Sequence, residues 1–163
     1  MNIVILDWST VTSGDISLDK FHTLGNVKSY DLTPPELTAE RIGNADAVLC
    51  NKTLITREVM DRCPNLKYIG LFATGYNNVD LKTATEKGIA VCNAGSYSTN
   101  AVAQMVFAHI LAHYSKVAIY DNDVKNGKWI SSPIFSYFPY SIAELSEKTL
   151  AIIGFGSIGK AVA

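Results

Sequence analysis

Short apolar runs alternate with longer polar segments along the first half of the chain, and each run has the length of a strand. Ile3, Val4, Ile5 and Leu6 form the first and stop at Asp7. Asn26 to Tyr30 is a weaker second run, Ala45 to Leu49 a third, Leu66 to Leu71 a fourth and Ile89 to Cys92 a fifth. Helix signals fall between them. Pro34-Pro35 opens a helix over Glu36 to Ile42, proline being at home in a first turn. Thr56 caps a helix to about Arg62, with Glu58 early and Arg62 late to match the helix dipole, and Pro64 stops it. Asp80 caps Leu81 to Lys87, and Gly88 ends that helix. Strands separated by helices pair in parallel, so the expected fold is α/β, with helices on both faces of the sheet.

The pattern then changes. From Asn100 to about Tyr114 nearly every position is apolar, and the helix it predicts has no polar face. Such a helix is expected to be buried on most sides, against a second domain or subunit, with Ser98, Thr99 or Asn100 as its cap. Another helix, about Val117 to Lys125, follows. Trp129, Phe135, Tyr137, Phe138 and Tyr140 then stand in a stretch broken by Pro133 and Pro139. This reads as an arm that packs on a partner; a loop folded back on its own domain is the alternative.

Leu150 to Ile153 is expected to be a strand, and Gly154-Phe155-Gly156-Ser157-Ile158-Gly159 follows at once. Gly-x-Gly-x-x-Gly between a strand and a helix is a dinucleotide-binding pattern. Gly154 permits the tight turn, Gly156 lets backbone approach a pyrophosphate, and Gly159 lets the helix pack on the strand. The acidic residue that holds the ribose comes roughly 20 residues later in that pattern. The chain is therefore expected to be a piece of a longer protein that holds a dinucleotide poorly alone, with 150–153 as an exposed or partner-covered edge.

A second candidate lies at the strand ends, where open α/β sheets bind ligands. After the fourth strand, the small residues Ala73, Thr74 and Gly75 leave backbone N–H groups open, a nest that suits a carboxylate, and Thr74 adds a hydroxyl. After the third comes Cys50-Asn51-Lys52-Thr53 on the same side of the sheet, where Lys52 would bring a cation toward that anion. An ordinary turn and a solvated lysine are the plain alternatives.

Composition narrows the classes. The 163 residues carry 14 Lys+Arg against 15 Asp+Glu, a net charge of −1, and are 48% hydrophobic and 18% charged. Long disorder is excluded, and there is no basic excess for a nucleic-acid partner. The low charge suggests that part of the surface meets another domain or subunit. No apolar stretch reaches the roughly 18–20 residues of a membrane span. Cys50, Cys63 and Cys92 fit neither a disulfide framework nor a zinc site, and point to a reducing, cytoplasmic setting. His109 and His113 share a helical face but have no third ligand, so no metal is expected. Arg41, Arg57 and Arg62 sit on predicted helices away from strand ends and read as surface charges.

Three blocks, Asn65 to Asp80, Gly88 to Gly95 and Tyr97 to Gln104, resemble the D-isomer-specific 2-hydroxyacid dehydrogenases. Ala103-Gln104, Gly127-Lys128-Trp129 and Lys148 to Gly159 look most like the glycerate dehydrogenase (hydroxypyruvate reductase) branch. The resemblance implies a flavodoxin-like (Rossmann-type) substrate-binding domain over 1–98, interdomain helices and a dimerisation arm over 99–149, and the first strand-turn-helix of a second, NAD-binding Rossmann domain over 150–163. It implies an NAD(P)-dependent enzyme that reduces a small 2-keto acid, such as hydroxypyruvate or glyoxylate, to the D-2-hydroxy acid, as a homodimer through 99–149. Thr74 and Gly75 would bind the substrate carboxylate through their backbone, Thr74 would also lie near the nicotinamide of NAD or NADP, and Ser157 and Ile158 would lie beside the pyrophosphate. The family's catalytic arginine, glutamate and histidine have no counterpart among these residues, so the piece alone is expected to be inactive. Glu147 and Ala151 stand where the family usually has glycine. A dinucleotide-sensing regulator on the same fold is the alternative function.

Overall fold

The computed structural model describes all 163 residues, and they separate into two units, Met1–Tyr97 and Ser98–Ala163. In the first, β1 (Asn2–Ile5), β2 (Asn26–Ser29), β3 (Ala47–Cys50), β4 (Tyr68–Leu71) and β5 (Ala90–Cys92) form one parallel sheet ordered β2-β1-β3-β4-β5. That is the flavodoxin-like doubly wound order. Ile5 lies between Ser29 and Leu49, and Gly70 between Leu49 and Cys92.

The pleat sends alternate side chains to opposite faces. Val4, Leu6, Val48, Cys50, Ile69 and Leu71 form the larger core. α2 (Thr38–Ile42), α3 (Arg57–Asp61) and α4 (Leu81–Glu86) add Ile42, Met60 and Ala84 to it. The other face holds Ile3, Ile5, Ala47 and Leu49 under Trp8, Phe21 and Phe72. Phe72 meets Trp8 and Phe21 edge-on, at 5.7 and 6.0 Å between ring centres. This face carries one helical turn, α1 (Asp19–His22), and an apolar hollow of about 380 Å³ between Met1, Phe21, Leu24, Leu49 and Tyr68. Both predicted caps form. Thr56 Oγ1 accepts the Val59 N–H, and the Asp80 carboxylate accepts the N–H and hydroxyl of Thr83. Pro35–Leu37 is a 3-10 turn, so the helix predicted from Glu36 becomes α-helical only at Thr38.

The second unit contains α5 (Thr99–Ser115), α6 (Val117–Lys125) and α7 (Ser157–Val162). Lys116 alone joins α5 to α6, in the left-handed conformation (φ 51°, ψ 32°). α7 packs on α5, burying Val162 and Ala103. Within this chain α5 buries only Ala103, while Met105, Phe107 and Leu111 are 51, 43 and 49% exposed. Two expectations change here. The aromatic arm divides. Tyr137 and Tyr140 turn onto α6, where Asp123 takes their hydroxyls and Tyr120 packs edge-on, while Phe135 and Phe138 face solvent. Residues 150–153 form no strand, because no parallel neighbour offers a ladder of hydrogen bonds, and Ile153 is fully exposed. No helix is long and apolar enough to cross a membrane.

Candidate functional site

The order of the sheet reverses between β1 and β3, and doubly wound sheets lodge ligands beyond the carboxyl ends of strands at that point. Here the chain fills the position itself. Asp7, just past β1, is 3% exposed. Its Oδ1 accepts the Asn51 N–H at 2.8 Å. Its Oδ2 accepts the N–H groups of Lys52 and Thr53 at 2.7 and 2.8 Å and the Thr53 hydroxyl at 2.9 Å. Successive amides converging on one anion make a nest, and this one holds an anion from its own fold. Asn51 Nδ2 donates in turn to the carbonyl and hydroxyl of Thr10, which ties the turn after β1 to the turn after β3. Lys52 thus enters the network through its backbone, while its side chain is exposed. Sequence reasoning marked Asp7 only as the end of a strand. The available signal was an acidic residue placed directly after a buried run.

The β3 turn is wired onward to the β4 turn. Asn78 Nδ2 donates to the Thr53 carbonyl at 2.9 Å, and the Ile55 N–H donates to the Asn78 carbonyl at 2.8 Å. Buried Cys50 lies beneath this junction. Burial, and then the Asp7 carboxylate nearby, push its thiol up to about 12 against the Asn78 amide, so it is an inert packing group.

In the β4 turn, Thr74 and Gly75 are exposed and Ala73 is half-buried. The segment after β5 holds this turn by three bonds. The Ala94 N–H donates to the Ala73 carbonyl at 3.0 Å, Asn93 Nδ2 to the Thr74 carbonyl at 2.7 Å, and Thr74 Oγ1 to the Gly95 carbonyl at 2.6 Å. The N–H groups of Ala73, Thr74 and Gly75 enter no hydrogen bond of the structure. The Thr74 hydroxyl has spent its proton on Gly95, so what it offers a ligand is a lone pair. A Cβ added at Gly75 would meet only Asn77 Oδ1, at 3.5 Å. The fold does not need glycine there, and the missing side chain leaves open space at Gly75. A hollow of about 210 Å³ lined by Tyr76, Leu81, Val91 and Asn93 adjoins the turn.

The glycine loop belongs to the second unit. Gly154 stands at φ +96°, where a side chain is strained. A Cβ at Gly159 would fall 2.2 Å from the Gly154 carbonyl oxygen and 3.4 Å from Ile152 Cγ2, so α7 can follow the turn only with glycine there. A Cβ at Gly156 would meet nothing within 4 Å, which leaves its backbone open to a ligand. Ser157 and Ile158, the first residues of α7, are both exposed.

The remaining polar candidates have structural partners. Arg41 is not a solvated charge. Its guanidinium lies 4.1 Å over the Tyr30 ring and donates to the Leu32 carbonyl and the Thr33 hydroxyl, just past β2. Arg57 pairs with Glu86 at 2.6 Å on the surface. His109 and His113 are exposed on α5, and no group of three His, Cys, Asp or Glu side chains could hold a metal. Buried Asp123 accepts from Lys128 Nζ at 2.7 Å and from the Tyr137 and Tyr140 hydroxyls at 2.8 and 2.9 Å, which latches the arm to α6. The Lys128 hydrogen bond, then those of the two tyrosines, hold the Asp123 carboxyl below its ordinary value against the opposing effect of burial.

Comparison with known proteins places this arrangement. The family model described as D-isomer specific 2-hydroxyacid dehydrogenase, catalytic domain, matches residues 3–157. A hydroxypyruvate reductase of Blautia hydrogenotrophica is 42% identical over 99% of this chain and 51% of its own length. A glycerate dehydrogenase of Methylorubrum extorquens is 33% identical over the same shares. Among solved structures, an acyclic imino acid reductase in complex with NADPH and D-Arg superposes with a TM-score of 0.82, at 28% identity over 99% of this chain and 51% of that one. The chain spans about half the length of the curated relatives it matches. With its 2-1-3-4-5 sheet and a match covering nearly every residue, the chain belongs to the D-isomer-specific 2-hydroxyacid dehydrogenase family.

Proposed function

We propose that this chain is the first half of an NAD(P)-dependent D-2-hydroxyacid dehydrogenase that reduces a small 2-keto acid of the hydroxypyruvate or glyoxylate type. The observation that carries the reading is the β4 turn: backbone N–H groups of Ala73, Thr74 and Gly75 that enter no hydrogen bond, after a parallel strand, in a turn held in place by the segment after β5. A carboxylate there accepts from amides already in position, so little ordering is needed on binding. The exposed Lys52 ammonium adds a positive charge to the neighbouring turn. Gly154, Gly156, Ser157, Ile158 and Gly159 are the proposed contacts of the dinucleotide pyrophosphate, and the open space at Gly156 fits it. Thr74 is proposed to flank the nicotinamide. A bound reduced nicotinamide would supply a hydride to the 2-keto carbon, whose oxygen would take up a proton. Among the residues of this chain none is assigned as proton donor; its part is to bind and orient.

The exposed apolar side chains of α5 and of the arm, Phe107, Leu111, Phe135 and Phe138 among them, support a homodimer through 99–149. Three free cysteines, two of them buried, suit a reducing cytoplasm. The test is turnover by the full-length gene product. Oxidation of NADH or NADPH at 340 nm with hydroxypyruvate, glyoxylate or pyruvate is expected, with D-configured glycerate or lactate from hydroxypyruvate or pyruvate; no turnover with any pair would overturn the assignment.

A further inference from the structure

We infer that Asn93 is a positioning residue for the anion cradle, setting the direction of its amides by holding the carbonyls behind them. The inference rests on the reading of residues 73–75 as that cradle. A trans peptide is planar, and its C=O and N–H point in opposite directions. The C=O of Ala73 and the N–H of Thr74 share one plane; the C=O of Thr74 and the N–H of Gly75 share the next. Both carbonyls are pinned from the same side, Ala73 by the Ala94 N–H at 3.0 Å and Thr74 by Asn93 Nδ2 at 2.7 Å. The amides of Thr74 and Gly75 are therefore turned away from the β5 turn, onto the side left open to solvent. The partner of Asn93 is a carbonyl oxygen, so its amide NH₂ makes the contact.

The two pins differ in kind. Ala94 donates from the main chain, and no substitution removes its N–H except proline. Asn93 donates from an exposed side chain to the Thr74 carbonyl. Without it the Thr74–Gly75 plane loses this hold on its carbonyl, and the Gly75 N–H is less firmly aimed, although the Thr74 hydroxyl still bonds the Gly95 carbonyl. Asn93 touches no substrate in this account; it acts through the peptide plane.

The test uses the 163-residue chain, with glyoxylate as the probe, followed by two-dimensional amide NMR. In the parent chain glyoxylate is expected to shift the Thr74 and Gly75 amides. Asn93→Ala is expected to weaken that binding about tenfold, the effect of one orienting hydrogen bond. It should also move the Thr74 carbonyl-carbon and Gly75 amide-nitrogen resonances before any ligand is added, with the unfolding temperature unchanged. Asn93→Leu keeps the volume and removes the donor, and should behave alike if the alanine variant folds poorly. Glyoxylate bound equally well by parent and variants would overturn the role of Asn93 and leave the cradle standing. No shift at Thr74 or Gly75 in the parent chain would overturn the cradle itself, and this inference with it.

Discussion

Replacing Asp7 tests whether a single buried carboxylate holds the strand ends together. Asp7→Asn is nearly isosteric. With the new amide oxygen in place of Oδ2, the bonds from Lys52 N–H, Thr53 N–H and the Thr53 hydroxyl can persist, though without the charge. The new NH₂ must then face the Asn51 N–H, now 2.8 Å from Oδ1. Leaving that donor unpaired costs about 1–3 kcal/mol, and three bonds lose charge assistance worth about 0.5–1 kcal/mol each. Part of this returns because an amide is cheaper to desolvate than a carboxylate, so the net loss is about 3 kcal/mol. A unit of this size has about 5–15 kcal/mol in all, so the loss is a large share. Urea unfolding followed by Trp8 fluorescence, in a Trp129→Phe background and checked against circular dichroism, should show the midpoint falling by about 2 M for a slope near 1.5 kcal/mol/M. Thr53→Val, which removes one hydroxyl bond, should cost about 1 kcal/mol. A midpoint for Asp7→Asn within about 0.3 M of the parent would refute the reasoning, because water would then serve these amides as well as the carboxylate does.

Three further outcomes are expected. Gly159→Ala should undock α7 from α5 at a cost of about 1–3 kcal/mol, read as faster amide exchange over 157–162, while Gly156→Ala should leave that exchange unchanged. In native protein at pH 8 a thiol reagent should modify exposed Cys92 and spare Cys50, whose thiol lies near 12; equal rates at the two would contradict the burial of Cys50. Asp123 has a depressed pKa in the folded arm, so its stabilisation is full above the ordinary 3.8 and is lost as pH falls through the lower folded value. Trp129 lies 6.3 Å from Tyr137, so in a Trp8→Phe background its fluorescence should report an acid step below pH 3.8 that Asp123→Asn abolishes.

Local chemistry made much of the fold legible. Capping by Thr56 and Asp80 depends on neighbours three residues away, and both were readable. Strand starts were less so, because a ladder begins where a partner is. Leu66, expected in β4, spends its N–H on the Cys63 carbonyl, and the strand begins at Tyr68. The open turn after β4 could be anticipated from its small residues, and the tight turn before α7 from the spacing of its three glycines. The Asp7 network could not, because it joins residues 44 to 46 positions apart and leaves no local pattern. Nor does residue type announce backbone conformation: Glu147 stands at φ +61°, in the region that favours glycine. The apolarity of α5 states what the helix would bury, not which chain supplies the cover.

The junction at Lys116 gives the second unit a mechanical property. One residue in an uncommon backbone state sets the elbow between two helices. α6 is nine residues long, a rod of about 13 Å, so a swing of about 20° at its base displaces the far tip by about 5 Å. The latched tyrosines and the outward phenylalanines ride on that rod as cargo. Selection acting on one position could thus re-aim an entire exposed apolar patch without altering any residue that forms it.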